Sequence, residues 1–195
     1  MSKKSTIIII VVAAILVTVA IIFLKVNKKS PSNKEESINE YPSVSDSIQN
    51  TYTLTPSEED EKNNVYTDSQ YKFSFQYPKD FTATKFREGE GSDTILIQQK
   101  GGKGGFQIFI SPFDEPGPLT KERISQDLPD MKIESAENRV LKNGIPALLF
   151  FSSEASLGET REIWFVKNGY LYQITATKEI DSLVAEIVGT WKFQQ

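Results

Sequence analysis

The sequence predicts an α+β protein: an antiparallel sheet sandwiched between helices, preceded by a single transmembrane helix and a disordered linker. Three observations predict it. Residues 6–24, TIIIIVVAAILVTVAIIFL, form a run of 19 residues without a charge. Residues 71–77, YKFSFQY, alternate strictly between aromatic and polar side chains, the period of a half-buried strand. Ile180, Leu183, Val184, Ile187 and Trp191 follow the i, i+3, i+4, i+7, i+11 rhythm of one helical stripe.

At ~1.5 Å of rise per residue the apolar run spans roughly 28 Å as a helix, the thickness of a bilayer's hydrocarbon core. Its β-branched residues disfavour a helix in water, but in lipid every backbone group must be satisfied within the segment. A cleaved signal peptide fits less well. Only Thr18-Val19-Ala20 approaches a cleavage site, and cutting there would leave four large apolar residues at the new terminus. With no Cys to acylate, a lipoprotein is excluded. The expectation is an uncleaved, single-pass signal anchor whose partner is the lipid bilayer through residues 6–24, after a head of residues 1–5. Lys25, Lys28, Lys29 and Lys34 outnumber Lys3 and Lys4, and a bare positive-inside count would place the C-terminal domain in the cytoplasm. Long downstream domains translocate largely regardless of charge, however, so an extracytoplasmic domain on the cell membrane is expected.

Residues 25–64 shift to Ser, Asn, Glu, Lys and Pro, with apolar residues too sparse for a core, and read as a flexible linker. The acidic run Glu58-Glu59-Asp60-Glu61 lacks the alternating ligands and turn glycine of a calcium loop and reads as a solvated charge run. Residues 65–195 are long enough for one domain with one core. Over residues 63–195 there are 15 Lys and Arg against 18 Asp and Glu, mixed along the chain, which gives no basic field for nucleic acid.

Order is expected from Tyr71, with Pro78 ending the first strand because proline cannot donate to the ladder. A weaker strand over 82–86 and a loop over 88–93 precede two β-rich runs, 94–99 and 106–111, that should pair as a hairpin across Gly101-Gly102-Lys103-Gly104-Gly105. That cluster has neither the spacing nor the following helix of a phosphate loop. Residues 111–119, SPFDEPGPL, can only be irregular. They lead to a short helix with Thr120 as N-cap, Ile124 and Leu128 on one face, and Pro129 as its end. Residues 131–135 are β-compatible, and strands follow over 139–142, 145–152, 160–167 and 170–177. Asn143-Gly144 and Asn168-Gly169 both suit the positive φ angles of a type I′ hairpin. Residues 145–151, IPALLFF, do not alternate, which implies a sheet buried on both faces. The second cover is the helix over 179–188, and residues 191–193 read as a short closing strand or an apolar plug.

Several of these residues together resemble a known family. Tyr71 to Phe81, YKFSFQYPKDF, is similar to the opening signature of PsbP-like domains, the photosystem II extrinsic subunits and their bacterial relatives, with Phe81 where that signature usually has Trp. The Asn143-Gly144-Ile145-Pro146-Ala147 turn, Asn168-Gly169-Tyr170 and Thr190-Trp191-Lys192-Phe193 resemble the family as well. The resemblance implies a PsbP-like α-β-α sandwich and an extracytoplasmic location. It implies no site, because the plant subunits act through residues, some of them histidines, that have no match here.

The chain contains no His and no Cys, so Ser-His-Asp triads, Cys nucleophiles and the usual zinc sites cannot be assembled. Ser152, Ser153, Glu154, Glu159 and Glu162 gather around one inter-strand loop, where polarity is ordinary. No catalytic, cofactor-binding or metal residue is assigned, and no cofactor is expected. The leading reading is a membrane-anchored, non-enzymatic binding or assembly module; the alternatives are an envelope hydrolase or peptidase of unrecognised type and an inert structural spacer. One residue is singled out for partner binding. Phe113, in the proline-stiffened loop, is placed to anchor in a pocket on another envelope protein, against the plainer reading that it folds back onto the sheet or the adjacent helix.

Overall fold

The computed structural model describes residues 62–102, 104–115, 118–154 and 157–194. The head, the apolar run 6–24 and the linker to residue 61 lie outside these residues. Among the described residues no helix is long and apolar enough to cross a membrane.

Among the described residues, ten strands and two helices form the domain. The strands are β1 (Asn63–Asp68), β2 (Phe73–Pro78), β3 (Phe81–Gly89), β4 (Ser92–Gln99), β5 (Gly105–Pro112), β6 (Glu134–Val140), β7 (Pro146–Glu154), β8 (Gly158–Lys167), β9 (Tyr170–Thr177) and β10 (Lys192–Phe193). The helices are α1 (Lys121–Asp127) and α2 (Asp181–Gly189), the latter entered through a 3-10 turn, Lys178–Ile180. Seven strands make one antiparallel sheet in the order β3-β4-β5-β9-β8-β7-β6. The remaining three, β1-β2-β10, make a second, smaller sheet. The protein is thus α+β and mostly antiparallel sheet, as expected.

The second sheet is a correction to a single sheet between helices. The aromatic stretch at 71–77 supplies its strand β2 only from Phe73 on, because Tyr71 and Lys72 form a turn with Lys72 at φ 55, and the rings of Phe73 and Phe75 are fully buried against the large sheet. They meet Ile95, Ile97, Ile108, Ile110, Ile163, Phe165, Tyr172 and Ile174, with Val184, Ile187 and Val188 of α2 and with Trp191. Fully burying one such side chain contributes about 1.5–3 kcal/mol, so this layer dominates the core. On the opposite face, Leu148, Phe150, Trp164 and Leu171 pack under Leu119, Ile124 and Leu128. Both faces of β7 are therefore covered, as its unbroken apolar run requires; one cover is a sheet plus a helix, the other the short helix α1.

The α1 boundaries follow their signals: Thr120 Oγ1 accepts from Arg123 N at 3.2 Å, and the helix stops before Pro129. The hairpin across 100–104 forms. Four local expectations differ. The loop at 88–93 contracts to a tight turn, because Gly89, Glu90 and Gly91 all take positive φ, and so Ser92 and Asp93 join β4. A single bulged strand, Glu134–Val140, replaces the stretches at 131–135 and 139–142. Asn168 and Gly169 both have positive φ and close a two-residue hairpin, but Gly144 has positive φ without Asn143. Gly144 N donates to Leu141 O and Leu141 N to Ile145 O, a type I turn followed by a left-handed glycine. Finally, order begins before Tyr71, at β1.

Candidate functional site

The densest set of buried charges joins the two sheets at one end. Asp68 closes β1 and turns the chain into β2: its Oδ1 accepts from the backbone N–H groups of Gln70 and Tyr71, both at 3.0 Å. Its Oδ2 accepts from Lys85 Nζ at 2.8 Å and from the Tyr66 hydroxyl at 3.2 Å. Lys85 projects from β3 toward the same face as Asp93 on β4, and its Nζ lies 3.0 Å from Asp93 Oδ2. The Tyr71 hydroxyl donates to that same oxygen at 2.8 Å, and Lys85 Nζ sits 4.8 Å from the Tyr71 ring centroid. Asp68 is 4 % and Asp93 1 % exposed.

Burial alone would raise the Asp68 carboxyl, but the Lys85 and Tyr71 N–H hydrogen bonds and the Lys85 charge hold it below the ordinary aspartate value. The tyrosines move the other way. Desolvation, then the adjacent carboxylates, push the hydroxyls of Tyr66 and Tyr71 well above the usual phenol range. Both are held neutral as donors. Two carboxylates meeting at one lysine is the arrangement an acid–base enzyme would need, but Asp68 has both oxygens engaged by internal donors, and the shared Asp93 oxygen is engaged by Tyr71 and Lys85. This cluster acts as a clasp between sheets. Nothing in the sequence marked it, because Asp is uncommon in strands and Asp93 falls where a loop is expected.

The polar residues around the β7–β8 loop do not converge. Glu159 is exposed and pairs with Lys178 at 2.7 Å. Glu162, on the opposite face of β8, is 2 % exposed and accepts from Thr160 Oγ1, Thr175 Oγ1 and Trp164 Nε1 at 2.8–2.9 Å. Ser152 is buried on the Glu162 side and Ser153 is exposed. The α1 face thus has a polar seam across β5, β9 and β8, where Gln107 and Gln173 are also buried. Its neighbour is a shallow hollow lined by Leu96, Phe106, Gln107, Leu157 and Thr175. Among the described residues no group of three or more acidic side chains is placed to hold a metal ion.

Phe113 is half-buried and packs against the cluster around Ile124 and Trp164. Its loop is pinned at two points. Phe113 N donates to Gly169 O at 2.8 Å, and Arg123 of α1 forms a two-pronged pair with the Glu115 carboxylate while its Nε reaches Asp127 at 2.6 Å. The stiffness expected of the prolines is reinforced by charge.

No protein-family model matches the chain, and no curated protein matches it. Among solved structures it is similar to the solution structure of cyanobacterial PsbP (CyanoP) from Synechocystis sp. PCC 6803, at 14 % sequence identity and a TM-score of 0.49, over 68 % of this chain and 93 % of that one.

Proposed function

We propose that this chain is a membrane-anchored, non-enzymatic binding or assembly module displayed outside the cytoplasmic membrane, with the PsbP-like α-β-α fold that its sequence signatures suggest. The observation that carries this reading is the 19-residue uncharged run at 6–24, long enough for one bilayer crossing and followed by a polar stretch that acts as a leash. The internal engagement of Asp68 and Asp93 by Lys85 and Tyr71 supports binding over catalysis, since a general acid or base needs an oxygen within reach of a substrate proton. Phe113 and its fastened loop are the element offered to a partner protein of the envelope.

Protease added to intact spheroplasts carrying the full-length chain tests the topology. Removal of the C-terminal domain without lysis is the expected outcome. Protection until the membrane is opened would place the domain in the cytoplasm, as the basic-residue count has it.

A further inference from the structure

Among the described residues the two sheets present four edges, and three are guarded. The β3 edge carries Lys85 and Arg87 and breaks register between Arg87 and Gly89. The β6 edge carries Glu134, Glu137 and Arg139, breaks register between Glu134 and Glu137, and has Ser135 at φ 50. The β10 edge is two residues long. Charges, bulges and shortness are the devices by which proteins keep sheet edges from pairing with other chains. The fourth edge has none of them. β1, NNVYTD, runs six residues in unbroken register with β2, and its one charge, Asp68, is turned inward and clasped.

The hydrogen-bond parity of β1 can be read directly. Lys79 N donates to Lys62 O, so in the antiparallel register Asn64, Tyr66 and Asp68 bond to β2 while Asn63, Val65 and Thr67 direct their N–H and C=O groups away from it. The partner of Val65 agrees: Gln76 N is turned from β1 and donates to Thr190 Oγ1 at 2.9 Å. Val65 itself is 62 % exposed. We infer that the β1 edge pairs with the β1 edge of a second copy of this chain, antiparallel, about a two-fold axis at Val65. That register sets Val65 against Val65, Asn63 against Thr67 and Asn64 against Tyr66, all neutral, and puts Lys62 of each copy opposite Asp68 of the other, so no like charges meet. The outward N–H and C=O groups of Asn63, Val65 and Thr67 then exchange bonds, and the two small sheets become one continuous sheet. A strand edge buries less surface than a stable dimer interface, so the association is weak and concentration-dependent.

This inference does not depend on the membrane anchor or on the Phe113 loop, and the absence of cysteine makes it testable by disulfide trapping. The protein is the purified full-length chain in mild detergent, with single cysteines introduced at Val65, Asn63, Thr67 or, as a control on the guarded β6 edge, Val140, which is 72 % exposed. Opposed residues of a hydrogen-bonded antiparallel pair have Cα atoms about 5.5 Å apart, within the range a disulfide spans. Under mild oxidation Val65→Cys is expected to form covalent dimer at least about fivefold faster than Val140→Cys. Asn63→Cys and Thr67→Cys should each stay at the control level alone and crosslink when mixed. Adding Thr67→Pro to Val65→Cys removes an outward N–H without touching the β2 ladder, and should return crosslinking to the control level while the melting temperature holds. Equal rates for Val65→Cys and Val140→Cys, or equal rates at 63, 65 and 67 alone, would overturn the inference. So would capture of a different polypeptide at position 65 in place of the dimer.

Discussion

Trp191 shows what a single side chain carries here. Its indole contacts Phe73 and Phe75 at centroid separations of 4.7 and 5.1 Å and meets Phe165 and Tyr172 edge-on, so it joins the small sheet, the large sheet and the end of α2. Trp191→Ala is expected to cost about 3–5 kcal/mol in urea denaturation; a loss below about 1 kcal/mol would mean that the ring contributes nothing to the core. Its place was legible because it extends the α2 stripe by one turn. The partners were not, since nothing in the alternation at 71–77 says that its rings face a different sheet. Phe113 is half-buried, and both of its roles meet in one substitution. If it serves recognition, Phe113→Ala leaves the melting temperature unchanged and abolishes a crosslink to another envelope protein in intact cells. A stability loss of about 2 kcal/mol or more assigns the ring to the α1 cluster alone.

At the level of elements, glycines separate turn chemistry from helix chemistry. Gly169 holds φ +78 in the two-residue hairpin between β8 and β9, a conformation costly for any side chain. Gly189 ends α2 without positive φ, and the nearest atoms a Cβ there would meet belong to the flexible Lys142 side chain, at 3.4 Å and beyond. Gly169→Ala should therefore lower stability by about 1 kcal/mol, and Gly189→Ala should raise it by about 0.5 kcal/mol, through reduced freedom of the unfolded chain. Thermal melts of the two variants check the opposite signs. Most strands and both helices were legible from periodicity and caps. β1 was not: Val65-Tyr66-Thr67 is a β-prone triplet, but it lies between a charge run and a Ser-Gln turn, and only pairing with β2 selects it. Asn143-Gly144 misled for a related reason, because the pair permits a type I′ turn without requiring it.

For the molecule as a whole, the Asp68 clasp makes stability depend on acid. An aspartate held below its ordinary value of about 3.9 binds fewer protons folded than unfolded, so its contribution is present above that pH and lost as the pH falls through the folded value. Asp68→Asn should cost about 1–3 kcal/mol at pH 7, and the gap to the unaltered protein should narrow as the pH falls below the ordinary aspartate value of about 3.9. A gap that stays constant as the pH falls, followed by urea midpoints, would show that the carboxylate charge does not act there. The site was the least legible part of the chain, since Asp68, Lys85 and Asp93 come from three strands and gain meaning only when two sheets meet. The same geometry bears on mechanical load. Tension arriving through the chain before Lys62 reaches β1 first, at the end opposite Asp68, and would peel that strand from β2 one hydrogen-bonded pair at a time. The peeling front ends at Asp68, where Lys85 and Tyr71 lash it to β3 and β4. Under such a load the clasp would act as a ripstop, the link that β1 must break before the pull is passed on to the large sheet.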